Sequence, residues 1–249
     1  MTVQIVPDQP ALAQAVAELV AAGAVTAIAD RGRFTLSLAG GSTPRAAYTL
    51  LAGDSFARRI DWSRVLLLWG DERCVPPDEP LSNYRMVREA LLERVPIPPA
   101  NVYRIRAETD PREAAADYEG VLRELLGADA TTDAPADGPD LVLLGIGEDG
   151  HTASLFPAHT AVKATRRWVV AEYIGAVSMW RVTLTPVVLN AARQVVFVVG
   201  GAAKADVLGQ VLEGPFTPDR LPAQVVRPDR GRLTWVVDRA AAAQLTASG

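Results

Sequence analysis

Phe34-Thr-Leu-Ser-Leu-Ala-Gly-Gly-Ser-Thr-Pro44 carries an apolar run into two glycines, two hydroxyl residues and a proline suited to the first position of a helix. A short buried strand that ends in glycine and turns into a helix is the repeating unit of open α/β sheets. The layout recurs along the chain. Residues 140–144 lead into Gly145-Ile-Gly-Glu-Asp-Gly-His151, residues 65–69 into Gly70-Asp-Glu-Arg73, and residues 195–199 into Gly200-Gly-Ala-Ala-Lys204. Further strands are predicted near 102–105 and at 168–171, 181–185 and 234–237. Helices are predicted over about 8–29, from Pro44, and over 82–95, 111–126, 186–192, 202–212 and 238–245. Gly127 to Pro139, rich in Asp, Ala, Thr, Gly and Pro, reads as a surface connector. Alternation of strands and helices along the chain, without repeats or heptads, predicts one α/β domain over 1–249: a doubly wound, mostly parallel, Rossmann-like sheet with helices on both faces.

In such sheets, ligands gather beyond the carboxyl ends of the strands. His151 is the strongest candidate there, an ionisable imidazole in a loop whose glycines at 145, 147 and 150 let the backbone approach a ligand closely. Asp149 is near enough in sequence to orient it; the competing reading is a tight turn ending in a surface histidine. Gly41, Ser42 and Thr43 form a second candidate, an anion cradle of open amides at a helix start with two added hydroxyls. An ordinary Ser/Thr cap is the alternative. The loop matches neither Walker A nor Gly-x-Gly-x-x-Gly, so it implies no nucleotide.

At the third strand end, Arg73 can grip a phosphate with its planar fork, while Asp71 and Glu72 hold the arginine or bond sugar hydroxyls. A solvated turn is the other possibility. Ser82 suits a helix cap, and Asn83 can turn its amide toward the ligand. Arg181 opens a strand, and Lys204 lies one turn into a helix, where solvated lysines are common.

Composition narrows the classes. Among 249 residues the formal net charge is −4 and the sequence pI about 5.3, so the overall field attracts neither nucleic acid nor anionic membrane. Residues 1–10 lack a basic start and carry Asp8, unlike a signal peptide. Residues 11–29 are mostly alanine, broken by Gln14, Glu18 and Thr26, which suits a packed soluble helix better than a membrane span. Cys74, the single cysteine, cannot form an internal disulfide and is compatible with a reducing cytosol. A soluble, cytoplasmic protein is expected. Cys74 has no identified histidine partner, Ser154 lies outside a Gly-x-Ser-x-Gly elbow, and two histidines, His151 and His159, make no zinc set. His159, following a proline, reads as a loop residue.

Taken together, Leu38-Ala-Gly-Gly-Ser-Thr-Pro44, Trp69-Gly-Asp-Glu-Arg-Cys-Val-Pro-Pro77, Ser82-Asn-Tyr-Arg85, Pro96-Ile-Pro-Pro99, the run Gly145 to Pro157, Arg181-Val-Thr-Leu-Thr185 and Gly200-Gly-Ala-Ala-Lys204 cover nearly the whole chain. In this order they resemble bacterial 6-phosphogluconolactonases of the pentose phosphate pathway, related in fold to glucosamine-6-phosphate deaminases. The resemblance implies a hydrolase without metal or cofactor, with His151 catalytic, a sugar-phosphate lactone as substrate, and Gly41, Ser42, Thr43, Arg73, Arg181 and Lys204 holding its phosphate. Deaminases follow Asp-Gly-His with a glutamate five residues on; here that position is Phe156. The lactonase pattern has a proline-rich turn before the arginine strand; this chain has Val177-Ser-Met-Trp180, which leaves the reach of Arg181 open.

The expected mechanism is general-base hydrolysis. An imidazole in water is mostly neutral near pH 7, so His151 can take a proton from attacking water and return it to the ring oxygen, while amides of the loop around Gly147 stabilise the oxyanion. The rivals are a sugar-phosphate sensor without turnover and a deaminase. Oligomeric state is not legible in the sequence.

Overall fold

The computed structural model describes residues 1–129 and 133–246; within the connector expected over Gly127 to Pro139, residues 130–132 lie outside the described residues. Strands are β1 (Thr2–Val6), β2 (Phe34–Leu38), β3 (Val65–Trp69), β4 (Asp71–Arg73), β5 (Val102–Tyr103), β6 (Leu141–Leu144), β7 (Val169–Ile174), β8 (Met179–Leu184), β9 (Gln194–Val199) and β10 (Arg232–Asp238). Helices are α1 (Gln9–Arg31), α2 (Ser42–Leu51), α3 (Asp54–Ala57), α4 (Asn83–Ala90), α5 (Pro111–Leu126), α6 (Pro186–Ala191) and α7 (Ala205–Glu213).

Among the described residues, seven strands form one sheet in the order β1-β10-β9-β6-β2-β3-β5, and every neighbouring pair is parallel. From β2 the chain winds outward through β3 to β5, then returns past them to β6, β9 and β10. Right-handed crossovers therefore put α1, α2 and α4 on one face and α5, α6 and α7 on the other. The reversal falls between β2 and β6, which are paired neighbours. This is the topological switch point, where open sheets leave a crevice.

Local chemistry explains the elements. The Asp8 carboxylate accepts from the Ala11 amide at 2.9 Å and Pro10 sits in the first turn of α1, whose end is set by Gly32 at φ 76°. Leu12, Val16, Val20, Ala24 and Ala27 recur at helical spacing and are buried. By length and composition α1 is the one candidate membrane span among the described residues, yet this face packs into the same hydrophobic cluster as the strands. Each large apolar side chain buried there contributes about 1.5–3 kcal/mol.

Where parallel strands end and their chains diverge, backbone groups need other partners. Tyr48 of α2 supplies one set, its hydroxyl accepting from the Ala39 amide at 2.9 Å and donating to the Ala39 carbonyl at 3.0 Å. From the opposite face Tyr118 of α5 does the same for Trp69, at 2.8 and 3.1 Å. Burial raises both phenols well above their ordinary range. They remain hydroxyls that pin the ends of β2 and β3.

Several expectations change. β1 was not anticipated; with its exposed edge position it shows little apolar alternation. The predicted strands at 168–171 and 181–185 lie outside the main sheet: β4, β8 and β7 form a separate antiparallel sheet. The predicted helix over 82–95 stops at Ala90, because Leu91 leaves helical geometry (φ −133°) and Val95 is extended before Pro96. The one over 238–245 shrinks to a single 3-10 turn, Ala241–Gln244, as the buried Asp238 turns its carboxylate to the amides of Gly201 and Ala241.

Candidate active site

Four of the strands read from the sequence, β9, β6, β2 and β3, are consecutive in the sheet, so their glycine-rich ends converge on the switch point. The loops bearing Lys204, His151, Gly41 and Arg73 thereby become neighbours although 163 positions separate Gly41 from Lys204.

The loop after β6 is held by its own short bonds. Thr152 donates its hydroxyl to the Gly145 carbonyl at 2.8 Å, and the Gly147 amide donates to the His151 carbonyl at 2.8 Å. This folds the imidazole back over Gly147. A Cβ on Gly147 would lie 2.1 Å from His151 Nδ1 and 2.6 Å from Asp149 Oδ1, so only glycine fits. Asp149 Oδ1 sits 2.6 Å from His151 Nδ1 and also accepts the His151 backbone amide at 3.1 Å. Partial burial raises the Asp149 carboxyl, but the His151 hydrogen bond, its charge and backbone donors outweigh it, and the net shift is downward. An ionised Asp149 can only accept, so Nδ1 carries a proton, and in the neutral form of the ring Nε2 is the nitrogen with the lone pair. The ring stacks on Phe156, centroids 4.2 Å apart and planes 19° apart.

At the end of β2, Gly41 takes the cap position with φ 104° and α2 begins at Ser42 without any side-chain cap. The alternative of an ordinary Ser/Thr cap is therefore not what is built. Pro44 is the third helical residue, not the first. The opening amides of α2 lie at the carboxyl end of β2, where Ser42 is exposed and Thr43 half buried.

Arg73 and Arg181 stand opposite each other in the β4–β8 register. Arg73 donates Nη1 to the Leu81 carbonyl at 2.5 Å. Among the described residues the Nε atoms of both arginines are buried without a hydrogen-bond partner. Burial, reinforced by the Arg73 charge, presses the Arg181 guanidinium below its ordinary pKa, against the opposing pull of Asp71 and Glu72. The Val177-Ser-Met-Trp180 stretch makes a hairpin turn with Ser178 at φ 49°, and this turn sets Arg181 in register beside Arg73. Lys204 lies just before α7 with Nζ 3.9 Å from Glu148 Oε1, so it reaches the His151 loop.

Asp71, Glu72 and Asn83, expected to hold the arginine, bond sugar hydroxyls or turn toward the ligand, have their polar atoms engaged within the protein. Asp71 and Glu72 are buried. Glu72 accepts the amides of Arg73, Asn83 and Tyr84 at 2.7–2.8 Å, which makes it the anchor of the α4 start; burial raises its carboxyl despite these donors. Asn83 turns its amide inward, to Asp71 Oδ1 at 3.2 Å and the Asp71 carbonyl at 3.0 Å. Residues 71 and 72 lie on opposite faces of β4, and each carboxylate is buried against internal donors. Cys74 is half buried, and burial with the Glu72 charge raises its thiol to about 11, which makes it a poor nucleophile. His159 sits with Nδ1 3.4 Å from Glu172 Oε2 and touches Phe156 edge-on.

Phe156 as the imidazole's platform, and Ser154, whose hydroxyl donates to Asp71 Oδ2 at 2.7 Å, were not read as site residues. Their signal was present only as the run Ser154-Leu-Phe-Pro157 itself. No cluster of His, Cys, Asp and Glu that could hold a metal occurs among the described residues. A separate cavity of about 890 Å³ lies between α4 and α5 beside β5; its lining balances Arg88, Arg104 and Arg106 against Glu93, Glu108 and Asp117.

The family model described as "Glucosamine-6-phosphate isomerases/6-phosphogluconolactonase" matches residues 7–235. A 6-phosphogluconolactonase of Nostoc is 39% identical over 248 residues, covering 98% of each chain. A solved 6-phosphogluconolactonase from Trypanosoma cruzi superimposes with a TM-score of 0.88 at 28% identity, covering 99% of this chain and 97% of its own. A monomeric glucosamine-6-phosphate deaminase shares the fold, with a TM-score of 0.81 at 21% identity over 98% of this chain and 100% of its own. The chain belongs to the glucosamine-6-phosphate isomerase/6-phosphogluconolactonase family.

Proposed function

We propose that the protein hydrolyses 6-phospho-D-glucono-1,5-lactone to 6-phospho-D-gluconate, the lactonase step of the pentose phosphate pathway, as a soluble cytoplasmic enzyme built as a single α/β unit. The observation that carries this reading is the His151–Asp149 pair, a proton acceptor at Nε2, in a loop adjoining a cationic, uncapped anion site. Relatives named 6-phosphogluconolactonase across nearly the full chain support it.

In this reading the phosphate binds the opening amides of α2 at Gly41 to Thr43, the Ser42 and Thr43 hydroxyls, Arg73, Arg181 and Lys204. An anion there relieves the repulsion between two half-buried guanidiniums that face each other across β4 and β8 and supplies a partner for their buried Nε atoms. The sugar ring then spans toward His151. Nε2 takes a proton from water as its oxygen attacks C1, and the carbonyl becomes an oxyanion stabilised by amides of the Gly145–Gly150 loop. Collapse breaks the bond from C1 to the ring oxygen, which receives the proton from Nε2. The product acid ionises, releasing one proton. Holding the phosphate fixes a single ester against one base, which is how positioning lowers the barrier.

The deaminase alternative fares worse at Phe156. A ring-opening relay needs a carboxylate near the imidazole on that side, and this chain puts a buried aromatic ring there. Proton release from freshly generated 6-phosphoglucono-1,5-lactone at near-neutral pH, with the spontaneous rate subtracted, tests the proposal. Catalysis by wild type and its loss in His151→Ala are expected. A wild-type rate equal to the uncatalysed one, with ammonia released from glucosamine 6-phosphate, would overturn it.

A further inference from the structure

Asp71 is a buried carboxylate on β4, 7% exposed, and its side-chain bonds reach two separate segments. Oδ2 accepts the Ser154 hydroxyl at 2.7 Å. Oδ1 accepts Asn83 Nδ2 at 3.2 Å, and the same amide nitrogen reaches the Asp71 carbonyl at 3.0 Å. The Asn83 side chain in turn fills the space directly under Gly40, where a Cβ would fall 2.1 Å from its Oδ1. The Asp71 charge also favours the protonated form of Arg181. On the other side, Ser154 is 1% exposed and its amide donates at 3.1 Å to Thr183 Oγ1, a residue paired with Asp71 across β4 and β8.

These contacts join the two halves of the site. Gly40, Arg73 and Arg181 belong to the phosphate side, and Ser154 lies three residues after His151 in the catalytic loop. Ser154 is the residue of that loop whose side chain bonds the Asp71 hub. Its hydroxyl proton is committed to a carboxylate and its oxygen is shut from solvent, so a role as nucleophile is closed to it. A buried carboxylate must keep its donors or suffer a large desolvation cost, which makes the contact stiff and geometrically defined.

We propose that Ser154 is a positioning residue that sets the distance between the phosphate grip and the His151 imidazole, by locking the catalytic loop to Asp71. The inference rests on the lactonase reading and adds to it a route by which phosphate binding aligns the reacting ester. Loss of the Ser154 hydroxyl frees the loop to shift against the anion site. A substrate fixed at its phosphate then meets a misplaced base, whereas a lactone without phosphate can follow the loop.

The test compares kcat and KM for wild type, Ser154→Ala and Ser154→Cys on 6-phosphoglucono-1,5-lactone and on unphosphorylated glucono-1,5-lactone. Ser154→Ala is expected to lower kcat on the phosphorylated lactone roughly 10- to 100-fold with little change in KM, while turnover of the unphosphorylated lactone falls far less. The preference for the phosphorylated substrate therefore collapses. Ser154→Cys keeps the volume but offers only a weak donor, so it is expected to fall between, and it decides the matter if the alanine variant does not fold. A common factor of loss on both lactones, or no loss on either, overturns the inference while leaving the lactonase standing. Absence of catalysis in wild type on both lactones removes the lactonase reading and this inference with it.

Discussion

Arg73 and Arg181 face each other across β4 and β8, and neither forms an ion pair with any described carboxylate. Like charges placed directly opposite in a sheet destabilise it, and desolvation adds to the strain on Arg181. In the proposed lactonase this cationic pair receives the substrate phosphate. Arg73→Ala or Arg181→Ala is expected to raise KM for the phosphorylated lactone roughly 10- to 100-fold, the worth of a charge-assisted contact, with a smaller effect on kcat. In phosphate-free buffer neither variant should unfold more easily than wild type by thermal melting. A kcat-dominated defect would argue against the phosphate role.

His151→Ala is expected to cut kcat roughly 100- to 10,000-fold, the range for a positioned general base, while KM changes little. Asp149→Asn keeps the shape but lets its amide donate to Nδ1, which turns the imidazole to the wrong tautomer; kcat falls and the fold survives.

The Asp149 carboxyl also makes a pH prediction. Burial pushes it up, but the His151 bond and backbone donors win, so its folded value lies below 3.8. Its stabilising contribution is fully present above that unfolded reference and is lost as pH falls through the folded value. Urea midpoints of wild type and Asp149→Asn should differ at pH 5–6 by about the worth of an exposed-to-half-buried pair, 1 kcal/mol or less, and converge in more acidic buffer. A gap that widens toward acid pH would contradict the assignment.

Gly147→Ala places a methyl group where the His151 ring and Asp149 already meet. Turnover should fall at least as far as in Asp149→Asn, because the imidazole is displaced bodily, with phosphate protection against thermal unfolding retained. Measuring that protection beside kcat separates a local displacement from a lost fold.

Phe156→Ala removes the platform under the imidazole and opens a buried volume. A loss of about 3–5 kcal/mol in stability is expected from the cavity, with kcat reduced more than KM; denaturant titration and steady-state kinetics check both. Phe156→Leu, which refills most of the space without a stacking face, should recover stability better than turnover.

Cys74, its thiol raised to about 11 by burial and the Glu72 charge, should react slowly with alkylating reagents at neutral pH, and Cys74→Ser should keep full turnover. Rapid inactivation by such a reagent, prevented by substrate, would point to a role for the thiol.

Much of the fold was legible because parallel strands buried on both faces read as unbroken apolar runs, and the glycines that end them are required by sharp turns. β1 escaped because an edge strand with exposed positions has no such run, and the antiparallel strands β7 and β8 looked like the others because local pattern does not say which partner a strand takes. In the site, Gly147, Asp149 and His151 could be singled out because their contacts lie within five residues. For Asp71 and Glu72 the sequence left open whether they hold the arginine or bond sugar hydroxyls, and Asn83 was turned toward the ligand, because charge and polarity in a strand-end loop suggest solvent, whereas a fold can turn such groups inward to satisfy one another.

The sequence by itself determined the class of fold, the four strand-end loops and the chemistry each can offer, since these depend on propensity, glycine placement and functional groups along the chain. The tertiary structure decided which loops meet, that β2 and β6 flank the reversal of strand order, that Arg181 stands beside Arg73, and that Ser154 closes on Asp71 across 83 positions. Such contacts are set by sheet order and packing, where residues far apart in the chain compete for the same buried partner, and no local pattern encodes the winner.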